Sequence, residues 1–576
     1  MKKKYVRWTL WTIASPFILF IILCILIYLP PIQNFLVDKA AVYASEATGM
    51  NISVGRISLS FPLNLVVTNV DAASPHNDTL LSVRRLQVNV QLLPLLKKQV
   101  EVDGISLQGA TVNSNDLIHG MKLNGTLGEL FISSHGVALD PETAIVNKVL
   151  LKDTDLSLCL NDTAAADTAA SDTAYWKIIL QDIDLQNVSF ALDMPLDSLS
   201  LAASLDNAIL RDGLIDLHKS AYSLQTFRIE NGRVRYDNGK PLAADSLSSG
   251  LDPSHIALTD IGVKLDSLYY GGRNMKAIIS QFVLKERSGV EIVSATGRMV
   301  SNDKVLRVPS LKLETRDSYL ELNAAMDWNA LDFKDEGLVS ARLMADIGKP
   351  DVVRFMGSMD EKFIRQYPSE PLRIRTGIDG DLNKLKLTTL TAELPGALGL
   401  FARGELTHLT DSLLRGGDIT LEAETKDLKF VSTLAEGIEI PYGTRLEGKF
   451  TMAGTKMGTD LLLMQPEAQA VVAADTIPIT VYNDSISVAD DFKMERAARL
   501  FAKYDLSRDR YEADLAVNHF DLHQFMPADS LYTLSTRLKV EGEGFDFFSP
   551  RTYFNAEGGI DRFHYGSYHL TGISLA

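Results

Sequence analysis

Two cysteines in 576 residues, Cys24 and Cys159, are too few for a disulfide framework or a cysteine-built metal cluster. Histidine is as sparse. The ten histidines are scattered, and the closest pair, His519 and His523, stands four apart in a segment read as strand running into a turn. On a strand that spacing is roughly 13 Å, too far to share a metal. Basic runs are missing beyond the N-terminus and the formal net charge is -16, which excludes a nucleic-acid-binding face. There is no H-E-x-x-H, no G-x-S-x-G and no GK[ST] phosphate loop. The carboxylate pairs Asp490-Asp491 and Asp182/Asp184 fall in polar turns or on solvated strand faces, and Gly271-Gly272 and Gly416-Gly417 read as hairpin turns. No catalytic residue, cofactor or metal is expected, and the chain is not read as an enzyme. With 46% hydrophobic and 23% charged residues it is nonetheless a folding chain.

The longest apolar run is N-terminal. Lys2, Lys3, Lys4 and Arg7 precede 22 uncharged residues from Trp8 to Leu29, among them Phe17, Phe20 and Leu23, with Trp8, Trp11 and Tyr28 at interfacial positions. At 1.5 Å per residue the run crosses about 30 Å of hydrocarbon. Basic residues on its N-terminal side place that end in the cytoplasm and everything after Pro30-Pro31 outside. The run is too long for a signal-peptide core and lacks an A-x-A-like site, so residues 1–31 read as an uncleaved single-pass anchor. Over residues 32–49, Ile32, Phe35, Leu36, Ala40, Tyr43 and Ala44 recur at helical spacing until Gly49, predicting an amphipathic capping helix.

Beyond Gly49 the period changes from 3.6 to 2. Leu86, Val88, Val90 and Leu92 alternate with polar residues. The same grammar returns with a turn-former at its centre: Gly109 between Ile105 and Val112, Asn187 between Ile183 and Leu192, Asn231 between Phe227 and Tyr236, Asp260 between Ile256 and Leu265. These centres predict tight turns or bulges between short antiparallel strands. At about 13 residues per strand, turns included, about 40 strands is the upper bound. A longer repeat begins at Ala341, Thr420 and Asp514, each copy running into an apolar helical cluster (Val352, Val353, Phe355 and Met356; Phe430, Val431 and Leu434; Phe525 and Met526) and then a glycine-bearing strand. Residues 161–174 are small, acidic and low in complexity, a disordered solvated loop.

The stretch from Gly49 to Leu63, with Ile52, Val54, Gly55, Ile57, Leu59 and Phe61-Pro62-Leu63, then Asn69-Val70, Leu80-Leu81, Leu92-Leu93-Pro94-Leu95-Leu96 and Ile105 to Val112, resembles the start of the AsmA-like superfamily, specifically its TamB-like members. The motifs cover about the first 110 residues, and the remainder agrees in style. The resemblance implies a mainly β fold: an N-terminal transmembrane helix followed by an elongated, repetitive antiparallel β-groove, taco-like, with a few short helices. It divides the chain into the anchor, the capping helix, an AsmA-like N-terminal β-module over 50–130, a repetitive groove over 131–340 and longer repeats with short helices over 341–576. It also implies an inner (plasma) membrane location with the bulk in the periplasm, a role in outer-membrane biogenesis and bridge-like phospholipid transport, and an Omp85-type partner in the outer membrane. TamB-like chains are usually longer and end in a β-rich C-terminal domain. This one stops in an apparent strand, Tyr568 to Leu575, and reads as an N-terminal fragment.

A sheet with one apolar face must cover it with a second sheet, with closure or with an apolar ligand. Acyl chains are such a ligand, and Val88, Val90, Leu107 and Leu185 are candidate groove-floor positions. By pattern alone each reads equally as the core of an ordinary sandwich. The alternative function is a periplasmic scaffold or chaperone whose sheet edges receive outer-membrane polypeptides by β-augmentation. A surface adhesin is disfavoured, because adhesins are exported with cleaved signals.

Overall fold

A computed structural model of the chain describes residues 49–60, 64–74, 78–90, 102–114, 120–138, 142–161, 176–240, 250–332, 337–356, 360–434, 437–465, 496–545 and 552–575, with Lys39, Ala41, Val42 and Ser45. The expected anchor, most of the capping helix, the loop 161–174 apart from Asn161, and Asp490-Asp491 lie outside these residues. Among the described residues no helix is long and apolar enough to cross a membrane. Lys39, Ala41, Val42 and Ser45 are helical, and Gly49, at φ 70°, donates its N–H to the Ser45 carbonyl at 2.9 Å, the left-handed cap that glycine forms without steric cost.

The chain is mainly β, with 27 strands assigned to one sheet. It divides into two compact units, the first running to Arg298 apart from Ser248–Gly250, the second from Met299 on. The first unit comprises β1 (Asn51–Ser60), β2 (Asn64–Ala73), β3 (Thr79–Val90), β4 (Val102–Asn113), β5 (Met121–Ala138), β6 (Thr143–Leu160), β7 (Lys177–Met194), β8 (Leu199–Asp216), β9 (Ala221–Leu224), β10 (Thr226–Asp237), β11 (His255–Gly271), β12 (Asn274–Glu286) and most of β13 (Glu291–Ser301). The second comprises β14 (Val305–Thr315), β15 (Tyr319–Asp327), β16 (Leu338–Ile347), β17 (Leu372–Asp381), β18 (Lys384–Leu394), β19 (Leu398–Thr407), β20 (Gly416–Thr425), β21 (Arg445–Ala453), β22 (Lys456–Met464), β23 (Ala497–Asp505), β24 (Arg510–Asp521), β25 (Leu531–Glu543), β26 (Tyr553–Tyr565) and β27 (Tyr568–Leu575).

From β1 to β12 and from β14 to β27 neighbouring strands pair antiparallel, with one departure from the expected pattern. β6 and β7 run parallel, Thr143 opposite Lys177 through Cys159 opposite Asp193. β9 and β10 act as one interrupted strand, since both pair with β8 and with β11. Gly109, Asn187, Asn231 and Asp260 do not form turns between strands, since each lies inside a strand, β4, β7, β10 and β11 respectively. β7 spans 18 residues straight through Asn187. Gly271-Gly272 does form a hairpin turn, between β11 and β12, whereas Gly416-Gly417 lies inside β20, opposite Leu406 and Thr407.

The three copies of the longer repeat fall on β16, β20 and β24. Each is followed by a helical insert: α1 (Trp328–Leu331) stands earlier, before β16, then α2 (Lys349–Met356) and α3 (Glu361–Gln366), the 3-10 turn Lys429–Thr433, and the 3-10 turn Leu522–Gln524. The first two inserts build the main core of unit 2. Phe363 packs edge-on against Phe430 at 5.6 Å between ring centroids, and Tyr367 against Phe430 at 5.1 Å, with Leu394, Ala397 and Leu428 beneath. Asp351 of α2, 1% exposed, accepts hydrogen bonds from Thr315 and Ser318 and an ion pair from Arg354 at 3.0 Å, tying the insert to the β14–β15 turn. Phe363→Ala is expected to cost about 3 to 5 kcal/mol, read as a fall in the urea midpoint of the transition reporting unit 2. Arg365→Ala, at an exposed i,i+4 pair with Glu361, is expected to stay within about 0.5 kcal/mol in the same assay.

Candidate functional site: the apolar face of the sheet

Within each unit the ladder stacks like residues on like. In unit 1 one rung runs Ile57, Val67, Leu86, Leu107, Leu130, Leu151, Leu185, Ala208, Ile229, Val263 and Phe282, one residue from each of eleven strands. The rung two residues along runs Leu59, Leu65, Val88, Ile105, Ile132, Val149, Ile183, Leu210, Phe227, Leu265 and Ile279. The rung on the far side of the first is polar, Arg56, Thr68, Arg85, Gln108, Glu129, Lys152, Gln186, Asn207 and Glu230, and the rung between the two is mixed: Ser58, Val66, Gln87, Ser106, Phe131, Leu150, Asp184, Ile209, Arg228 and Lys264. Because side chains alternate across a sheet, this register collects the two apolar rungs on one face and a mostly polar set on the other.

The candidate floor positions all lie on the apolar face. Leu107 and Leu185 share one rung, Val88 belongs to the next, and Val90 stands opposite Val102 at the end of its strand. None of the four is fully buried. Among the described residues, extended contacts between elements of unit 1 run between sheet neighbours, with the turn Pro195–Asp197 against β8 the exception.

Unit 2 repeats the arrangement. A single rung runs Leu311, Leu322, Leu343, Thr376, Leu390, Ala402, Leu421, Gly448, Leu461, Leu500, Leu515, Leu538 and Gly558, thirteen strands with one threonine. Its opposite face carries cross-strand ion pairs, among them Lys449–Asp418 at 2.9 Å, Lys384–Glu405 at 3.1 Å and Arg375–Asp346 at 2.6 Å. Asp182 and Asp184, expected to be plain surface, are both paired to Arg211 of β8.

Unit 1 has a feature that a strand-by-strand reading misses. Every strand from β1 to β8, and then β10 and β11, carries a residue that the ladder passes over at one aligned position, Gly55, Asn69, Arg84, Gly109, Gly128, Asp153, Asn187, Asp206, Asn231 and Asp260, and β6, β7 and β8 carry a second, Asn147, Gln181 and Asp212. Asn69, Gly109, Asp153, Asn187, Asn231 and Asp260 have left-handed φ of 49° to 62°. Glycine, asparagine and aspartate tolerate that region best. Gly128 is required by proximity, since a Cβ there would lie 2.8 Å from both the Cβ and the carbonyl oxygen of Asp153. Side chains join along the column, with Asn187 Nδ2 donating to Asp153 Oδ1 at 2.9 Å and Asn231 to Asp206.

At this column the apolar phase slips by one. Leu107 is followed by Ala110, Leu185 by Val188, Leu151 by Thr154 and Leu258 by Ile261, so each strand resumes its apolar alternation one residue late. The left-handed residue turns the chain by what the slip requires, and the apolar side chains remain on one face. Burial marks which side of the bend is inside. Beside the column Val83, Ala110, Thr154 and Ala208 are 5, 4, 2 and 4% exposed, whereas Ile105 and Phe190, further out on either flank, reach 37 and 38%. The polar column residues Asn69, Arg84, Asp153, Asn187, Asp206 and Asp260 are exposed on the opposite side.

His519, at φ 44°, sits at an irregularity of β24 and His523 in the following 3-10 turn, where its ring packs on Tyr532 at 4.8 Å. Among the described residues no group of three His, Cys, Asp or Glu is placed to hold a metal. The ionisable group most clearly set by its surroundings is Asp460, on the wet face of unit 2. Its bidentate hydrogen bonds from Arg499, at 2.8 and 2.5 Å, hold the carboxyl below the usual carboxylate range, against a smaller opposing effect of burial.

These features define a class: a mainly β, repeating single-sheet protein that presents a register-locked apolar face. No protein-family model matches the chain, and no curated protein is similar to it in sequence.

Two outcomes follow. A depressed folded-state value means that the Asp460 contribution is present above the unfolded carboxylate value and is lost as pH falls through the folded one. The thermal midpoint of unit 2 should therefore decline below about pH 4, and Asp460→Asn should flatten that decline. Leu185→Ala, on a partly exposed face, should cost less than about 2 kcal/mol, below the range for a fully buried leucine, when unit 1 is unfolded in urea.

Proposed function

We propose that the chain is an inner-membrane-anchored periplasmic protein of the TamB-like, AsmA-like type, which carries phospholipid acyl chains on its apolar β-face in support of outer-membrane biogenesis. One observation supports this most directly: two rungs of Leu, Val, Ile and Ala run unbroken across neighbouring strands on one face of the sheet, with side chains that are only partly buried. In this reading the aligned column in unit 1 folds the sheet into a trough, apolar inside and wet outside. Each methylene withdrawn from water contributes about 0.8 kcal/mol, and successive rungs offer nearly the same surface. The lipid is held without a single strong site and slides, its head group at the polar rim. The basic N-terminal residues and the run from Trp8 to Leu29 supply the anchor, and an Omp85-type partner the distal contact.

Photo-crosslinking amino acids placed at Val88, Val90, Leu107 and Leu185 of the full chain, followed by mass spectrometry, test this reading. Phospholipid is expected at all four, with Gln87, Asn89 and Gln108 silent. Crosslinks to polypeptide alone would replace it with the β-augmentation chaperone, and no adduct at any position would leave the face a structural one.

A further inference from the structure

The column of left-handed residues across unit 1 has no counterpart running through unit 2, where the ladder from β19 to β23 is regular from end to end. Three facts about it point the same way. Its members sit at one rung of ten strands, so the bend in each strand coincides with the bend in its neighbours. Its residue types, Asn, Asp and Gly with close-approach glycines between, are those the backbone conformation demands and not those an apolar face demands. Fully buried side chains of the apolar face, Val83, Ala110 and Ala208 among them, flank it.

We infer that this column is a crease whose backbone conformation, rather than any packed core, sets the angle between the two flanks of the sheet and so the width of the apolar surface open to a ligand. Asp153, Asn187 and Asn231 are positioning residues. They touch no apolar ligand and act through the strands they bend. The link from crease to ligand rests on the lipid-carrying reading above, but the link from crease to angle does not.

The test is a distance across the crease in the full chain. With Cys24 and Cys159 changed to serine, spin labels at Gln181→Cys and Asp193→Cys stand six residues either side of Asn187, and a straight strand would separate their Cα atoms by about 40 Å. The bent strand should give a shorter distance. Changing Asp153, Asn187 and Asn231 together to glycine, which adopts left-handed φ freely, should preserve that distance and the yield of lipid crosslinked at Leu185. Changing the same three to valine, for which left-handed φ is an outlier, should shift the distance toward the straight value and cut the Leu185 yield several-fold, while the yield at Leu461 in unit 2 is unchanged. The single Asn187→Val variant, whose neighbouring strands hold the fold, should broaden the distribution toward longer distances. Unchanged distances in the valine variants would overturn the inference. So would a lengthened distance in the glycine variant, because the Asn–Asp side-chain bonds and not the backbone would then set the angle. Loss of lipid from the unmutated chain would count against the lipid reading and leave the distance result standing.

Discussion

A strand in this protein cannot slide by one residue against its neighbour without carrying its whole apolar set to the wet side. That constraint holds the architecture together. Eleven residues on eleven strands line up as one apolar rung in unit 1 and thirteen as one rung in unit 2, and the alternating rungs are mostly polar, with Phe131, Leu150, Phe401 and Leu462 among them. Backbone hydrogen bonds supply the spacing between strands, and the apolar effect supplies the choice of register. Neither alone would do so, since a ladder is satisfied in any register and an apolar face has no memory of strand order.

The crease is the same constraint met under bending. A sheet that turns sharply at one line must turn every strand there, or the ladder breaks. Unit 1 does so by placing one left-handed residue, or a glycine or polar partner facing one, at the same rung of each strand, with a one-residue slip of the apolar phase beside it. Val83 and Ala110, beside the crease, are buried. Unit 2 meets the need for burial differently. Its helical inserts gather Phe363, Tyr367 and Phe430 into a compact aromatic core at one end of the strands, and Asp351 pins the first of them to the sheet.

The wet face shows how little its charges need to do. Cross-strand pairs such as Lys449–Asp418 and Arg499–Asp460 are partly exposed, and each contributes modestly. Their larger effect is to oppose the slipped register, in which like charges would meet across the ladder or lie against leucine. The acidic excess of the chain, a formal net charge of -16, adds a general repulsion between copies.

The sequence by itself determined the class of structure, which residues share a face within a strand, the places where a polar residue interrupts that alternation, and the glycine that ends the first helix, because each of these depends on neighbours within a few residues. Gly109, Asn187, Asn231 and Asp260 were legible as irregularities, but whether each ends a strand or bends one was not, since a hairpin and a crease call for the same left-handed residue. Only the tertiary structure decided that β6 and β7 run parallel, that Gly416-Gly417 extends a strand, that Asp182 and Asp184 meet Arg211, and that ten separate irregularities stand at one rung. Strand order and register are settled between residues far apart in the chain, by hydrogen-bond ladders that carry no local signature, and for that reason a face shared by many strands exists in the fold before it can be seen in any one of them.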